Sequence, residues 1–143
     1  MAIPSAPDST QDTAPDPRFS PAALEFLTER HLASLSTPLH SGRIHAVPTG
    51  FTVTGSTAWV ITSGPSQKVQ NVRRAGTASI CQIDGARWLT LIGPATVLED
   101  PDSVREAERR YAARYRVPRV NPLRVVIEVR IEKILGSRSI SLR

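Results

Sequence analysis

The dipeptide Asp84-Gly85 separates two alternating apolar runs, TASICQI (77–83) and ARWLTLIGPATVL (86–98). Asp-Gly suits the backbone of a two-residue hairpin turn, so the flanking runs pair antiparallel. Gly55-Ser56 makes a second tight turn, between RIHAVPTGFTVTG (43–55) and the apolar run 57–62. A doubly wound parallel sheet needs a crossover helix after nearly every strand, and two hairpins deny it that. The chain is therefore expected to be mainly β, within the α+β class.

The remaining segments extend this picture. Residues 31–37 alternate imperfectly around Leu32 and Leu35, and VVIEVRIEKI (125–134) alternates cleanly, with Val125, Ile127, Val129 and Ile131 facing inward. Pro48 cannot donate to a ladder, which places its strand at an edge or a bulge. Three helices are expected between the strands. Ser20-Pro21 starts one that ends near Arg30, with Ser20 as cap and Pro21 at the first helical position. A second covers about 67–75. A third begins at Asp100-Pro101, presents Val104, Ala107, Tyr111 and Tyr115 as one stripe, and ends before Pro118. Six strands joined largely by tight turns, with three helices inserted, suit a small antiparallel barrel with peripheral helices.

At 143 residues and 40% apolar, the chain fits one domain with a real core. Residues 1–18 are rich in Pro, Ser, Asp and Thr and bury too little to offset ordering, so they are expected to form a disordered tail before a domain at 19–143. They lack the basic and apolar regions of a signal peptide, and no apolar run approaches the ~20 residues of a membrane span. The single cysteine, Cys81, excludes an internal disulfide and fits a reducing cytoplasm. A formal charge of +5 favours anionic partners. Nucleic acid is disfavoured, because single-strand binding needs exposed aromatics along a basic groove and aromatics are scarce here.

The segment TSGPSQKVQNVRRAG (62–76) carries the clearest chemical signal. Ser66 can cap a short helix whose first N–H groups point outward, and Lys68 adds a full charge, which together suit an anion. A solvated basic helix fits the same residues. Gly64 and Lys68 lack the other elements of a Walker A loop. Cys81 reads as a buried strand thiol. His31, His40 and His45 show neither metal-ligand spacing nor an evident carboxylate partner, so no metal is expected. Trp88 suits a core position or stacking on a flat ligand. Arg114, Arg116, Arg119 and Arg124 form an acid-free stretch open to phosphate, carboxylate or solvent.

Taken in order, GFTV (50–53), VITSGPSQK (60–68), NVRRAG (71–76), QIDGARWLTLIGPA (82–95), AERRYAARYRVPRVNP (107–122) and RVVIEVRIEKILG (124–136) resemble the split β-barrel flavin and deazaflavin oxidoreductases, the pyridoxamine-5'-phosphate-oxidase-like superfamily. Within it the chain is most similar to the small enzymes that use the deazaflavin coenzyme F-420. The DGARW hairpin and the arginine-rich ending narrow the likeness to biliverdin reductases of that group.

The resemblance implies a homodimer with cofactor sites between subunits. It implies that Ile61, Thr62 and Ser63 line the deazaflavin ring or its chain, backed by Val47, Pro48 and Thr49. Ser66, Gln67 and Lys68 would hold the phosphate, Asn71 would support that loop, and Trp88 would come from the second subunit. Several relatives carry Arg where this chain has Ser66, and Arg73 or Arg74 could supply that charge. The implied reaction is hydride transfer to a conjugated acceptor, biliverdin first, with Arg116, Arg119 and Arg124 as candidate substrate contacts. An FMN-dependent enzyme of the same fold and a non-catalytic deazaflavin or tetrapyrrole carrier are the alternatives.

Overall fold

In the computed structural model, residues 13–140 are described. Helix α1 (Pro21–Thr28) leads to the hairpin β1 (Ala33–Pro38)–β2 (Ile44–Thr49), then to β3 (Thr52–Thr54) and β4 (Thr57–Ser63). Helix α2 (Gln67–Ala75) precedes the predicted Asp84-Gly85 hairpin, β5 (Thr77–Asp84)–β6 (Arg87–Leu98). Helix α3 (Pro101–Arg114) is followed by β7 (Arg124–Arg130), β8 (Lys133–Gly136) and a 3-10 turn, Arg138–Ile140. All pairings are antiparallel, in the order β2-β1-β5-β6-β7-β4-β3, with β8 on β6. β2 and β3 end this order, so the barrel stays split, as expected, and Pro48 lies in an edge strand.

β6 is the pivot. Residues up to Pro94 pair with β5, and those from Ala95 pair with β7. At the switch, a Cβ on Gly93 would lie 1.7 Å from the Arg130 carbonyl oxygen. Only glycine allows that approach.

Among the described residues eight strands form where six are expected, because two alternating runs are interrupted. Run 43–55 breaks at Gly50-Phe51, where the Phe51 N–H donates to the Tyr115 hydroxyl at 3.2 Å instead of to a strand. Run 125–134 breaks at Ile131-Glu132, whose carbonyls both accept from the Arg18 guanidinium at 2.8 Å. The inward set Val125, Ile127, Val129 and Ile131 is buried as expected. It packs with Leu35, Phe51, Val60, Ile80, Leu89 and Leu91 in one core. Leu32, by contrast, is 60% exposed.

Residues 13–18 differ from the expected tail. Asp16 is buried and accepts from Ser56 Oγ and Arg18 Nη2, each at 2.7 Å. The Arg18 guanidinium, helped by Ser56, holds the Asp16 carboxyl well below the usual carboxylate range. Composition registers a polar segment; it cannot register one ion pair that ties it to two carbonyls of the barrel. Residues 1–12 of the expected tail lie outside the described residues.

Helix caps follow the sequence signals. Ser20 Oγ accepts from the Ala23 N–H at 3.1 Å and Asp100 from Ser103 N–H at 3.0 Å, each with Pro at the first position. Gly76 closes α2 in the left-handed region at φ 66°. Among the described residues no helix is long and apolar enough to cross a membrane.

Candidate functional site

β4 ends at Ser63 and the chain turns through Gly64-Pro65 into α2. Ser66 occupies the N-cap position, but its hydroxyl donates to the Ser63 carbonyl at 2.7 Å and makes no capping bond. The first-turn donors of α2 therefore lack a side-chain acceptor, and the helix dipole favours an anion there. Lys68 is half-buried, with no hydrogen bond or ion pair among the described residues, and burial lowers its pKa. An anion would offset that desolvation.

The helix is anchored rigidly. Val69 and Val72 are buried, as expected. Asn71, fully buried, accepts from Gln67 Nε2 at 2.8 Å and donates to Thr37 Oγ1 on β1 at 3.1 Å. Arg73 pairs with Glu99, and Arg74 donates to the Pro38 carbonyl and to Asn71. Both arginines thus already have protein partners.

Next to this helix start lies a cavity of about 290 Å³. Thr49 and Gly50 form one wall, Ile61, Thr62 and Ser63 another, and Tyr111 with the loop after α3 a third. That loop is fastened to β4: Asn121 Nδ2 donates to Ser63 Oγ at 2.7 Å and Gly64 N–H to the Leu123 carbonyl at 2.8 Å. The end of α3 is fixed by Arg114, which donates to the Glu29 and Phe51 carbonyls and Gln82 Oε1 at 2.9, 2.6 and 2.7 Å. Its guanidinium also stacks on Phe51 at 4.6 Å. Arg114 is thus a structural residue. Tyr115, buried beside it, donates its hydroxyl to the His31 carbonyl at 2.6 Å.

Of the residues singled out from sequence, Thr49, Ile61, Thr62, Ser63, Arg116, Arg119 and Arg124 line this one cavity. Ser66, Gln67, Lys68 and Asn71 stand on the adjoining helix segment. Arg124 is already committed: it pairs with Glu108 and donates to the Arg119 carbonyl at 2.6 Å, leaving its side chain 9% exposed. Arg116 and Arg119 are exposed, and their guanidiniums have no partner among the described residues. Val47 and Pro48 line a different groove, with Leu32, Cys81 and Ile83. Trp88 is not brought to the cavity; it lies on β6 next to Ser137.

Two sequence expectations are corrected. Cys81 is half-buried and lines that outer groove, because β5 turns Ala78, Ile80 and Gln82 inward and Cys81 outward. His31 does have carboxylate partners, Glu29 at 2.9 Å and Asp84 at 3.8 Å. Arg87 bridges the same two acids, and this cation, with His31 second, lowers the Glu29 pKa to about 2. Gly50, Tyr111 and Asn121 were missed. Tyr111 stood in the helical stripe, where period alone reads it as core.

The outward residues of β1, β2, β5, β6 and β8 include Ile44, Ala46, Pro48, Ser34, Cys81, Ile83, Trp88, Thr90 and Leu135. None is charged. Ile44 and Ile83 are 67% and 59% exposed, so this is a broad unpartnered face.

Over residues 19–138 the chain matches the family model described as pyridoxamine 5'-phosphate oxidase. It is 57% identical over 122 residues to a protein of Mycobacterium tuberculosis (strain CDC 1551 / Oshkosh) named F420H(2)-dependent biliverdin reductase, covering 84% of this chain and 89% of that one. Among solved structures, a conserved hypothetical protein from Mycobacterium tuberculosis superposes with a TM-score of 0.73 at 21% identity, covering 89% of this chain and 92% of that one. Another, named F420 Reductase, gives 0.64 at 20% identity, covering 78% and 94%. These two share the fold.

Proposed function

This chain belongs to the pyridoxamine 5'-phosphate oxidase family, and from that premise we propose that it is an oxidoreductase transferring a hydride from reduced coenzyme F-420 to biliverdin, giving bilirubin. The observation that carries the reading is the identity with the mycobacterial biliverdin reductase, which extends over so much of the chain that it includes α2 and the cavity walls.

The residues present fit such a cofactor. A phosphate needs donors and a cation, and the uncapped start of α2 and the unpaired Lys68 offer both. A flat ring and its chain need apolar surface to pack on and polar groups to orient them; Ile61 and Tyr111 offer the first, and the hydroxyls of Thr49, Thr62 and Ser63 the second. Bound F-420 supplies a hydride, because carbon replaces the reactive ring nitrogen of flavin. Ser66, Gln67 and Lys68 hold the phosphate, and Asn71 keeps their helix on β1; Val47 and Pro48, in the outer groove, take no part in this slot.

The remaining work of the protein is positioning. Arg116 and Arg119, free at the cavity mouth, receive the two propionates of the bilin. Arg124 holds their loop. The exposed apolar residues of the outer face, Ile44, Ile83, Trp88 and Leu135, support a homodimer, in which Trp88 reaches the second subunit's cofactor. A single cysteine suits the reducing cytoplasm.

The test is a pair of measurements. Oxidised F-420 and FMN are titrated separately and followed by fluorescence; then reduced F-420 is supplied with biliverdin and bilirubin is monitored by absorbance. F-420 binding with bilirubin formation is expected. Tight FMN binding without F-420 binding would overturn the cofactor, and F-420 binding without turnover would leave a carrier.

A further inference from the structure

Reduction of a bilin requires a proton as well as a hydride, and the cavity restricts where it can come from. Its titratable lining groups are Tyr111, Arg116, Arg119 and Arg124. Arginines remain protonated in proteins and cannot deliver a proton at neutral pH. The cavity hydroxyls of Thr49, Thr62 and Ser63 are far weaker acids than a phenol. Thr49 Oγ1 already donates to the Gly50 carbonyl at 3.0 Å, and Ser63 Oγ accepts from Asn121 at 2.7 Å. The Tyr111 hydroxyl, in contrast, makes no hydrogen bond among the described residues. Its ring is held in place: Cε2 packs against Gly50, and Tyr115 lies at 4.9 Å between centroids, tilted by 33°. A donor that is fixed, acidic enough and without a protein partner is what a proton-requiring substrate needs in this place.

We propose that Tyr111 hydrogen-bonds the bound bilin and supplies the proton that completes its reduction; this rests on the biliverdin reading above. The bilin gains a hydride at its central methine carbon, with reduced deazaflavin oxidised as the reductant. The methine double bond to the neighbouring ring opens, and its electron pair shifts through that ring to the nitrogen. That nitrogen takes the proton from the Tyr111 O–H, forming an N–H bond. It is a far stronger base than phenolate, so the transfer runs downhill. The tyrosinate then recovers its proton from water.

The experiment uses the full chain and the Tyr111→Phe variant, which keeps the ring and its packing. Biliverdin is titrated into cofactor-free protein by absorbance, and kcat is measured against pH with reduced F-420. The variant is expected to bind biliverdin about 3- to 10-fold more weakly, the effect of one lost hydrogen bond. Its kcat should fall by roughly 10²- to 10⁴-fold, the usual contribution of a general acid. Wild-type kcat should decline at alkaline pH as a tyrosine ionises, the variant should lack that limb, and 3-fluorotyrosine at position 111 should move it to lower pH. Unchanged kcat in Tyr111→Phe, or an alkaline limb that ignores fluorination, would overturn the proposal. A wild-type protein that neither binds nor reduces biliverdin would instead sink the substrate reading itself.

Discussion

A Cβ on Gly50 would lie 2.8 Å from Cε2 of Tyr111, so the bare backbone at position 50 is what lets the tyrosine ring rest against the end of β2. Tyr115 closes the same space, at 3.0 Å. Both rings are braced, Tyr115 by its bond to the His31 carbonyl. Gly50→Ala should therefore cost about 1–3 kcal/mol in stability, as overpacking does, and displace Tyr111. Urea unfolding measures the first effect and bilin affinity the second. A fully stable variant would mean that the rings yield easily.

Lys68→Ala should weaken F-420 binding by about 1.5–3 kcal/mol, the range of a charge-assisted hydrogen bond. The pH dependence has a definite sign. Burial lowers the Lys68 pKa, so the ammonium is lost at a lower pH than the ~10.4 of a free lysine. Affinity should fall as pH rises through that point, and Lys68→Arg should move the fall to higher pH. Fluorescence titrations across the alkaline range read both. An unchanged dissociation constant in Lys68→Ala places the phosphate elsewhere.

Asp16→Asn should loosen residues 13–18 and destabilise the fold by about 1–3 kcal/mol, since Asp16 is buried and bonded to Arg18 and Ser56. Arg18, foremost, depresses the Asp16 pKa in the folded state. Its stabilisation is therefore complete above the unfolded value of about 3.9 and is lost as pH falls toward the folded one. Thermal melts between neutral and strongly acidic pH should show a shallower acid loss in the variant. Equal slopes would mean that Asp16 is not linked to folding.

Ile83→Asp places a carboxylate on the outer face, opposite Trp88. If that face joins two copies, the variant should sediment as a monomer where the wild type is a dimer, and it should bind F-420 more weakly. Sedimentation velocity decides the first point. A monomeric wild type would remove both the dimer and the role of Trp88 across it.

Much of the barrel could be read in the sequence because its signals are local. Asp84-Gly85 formed the expected hairpin, Ser20-Pro21 and Asp100-Pro101 started helices, and the alternation of 125–131 chose the buried face of β7. Two runs were read as too long because their interruptions come from distant groups. Tyr115 takes the Phe51 N–H, and Arg18 takes the carbonyls of Ile131 and Glu132.

The cavity was legible only in part. Ile61 to Ser63 and the start of α2 are neighbours in sequence, so one segment brought both. The acid-free run 114–124 looked uniform, yet the fold divides it: Arg114 is tied to three acceptors, Arg124 is paired with Glu108, and Arg116 and Arg119 have no partner among the described residues. Arg73 and Arg74 likewise received partners far along the chain, Glu99 and Pro38.

By itself the sequence determined what depends on neighbours along the chain: strand alternation, turn residues, caps, and the run of donors from Ser66 to Lys68. Tertiary structure alone decided which charges stay unpaired, that Tyr111 meets the cavity rather than the core, and that Gly93 lets β6 change partners. Those outcomes depend on groups that touch only after the barrel closes, and no local pattern encodes which partner a long arginine or a tyrosine hydroxyl will reach.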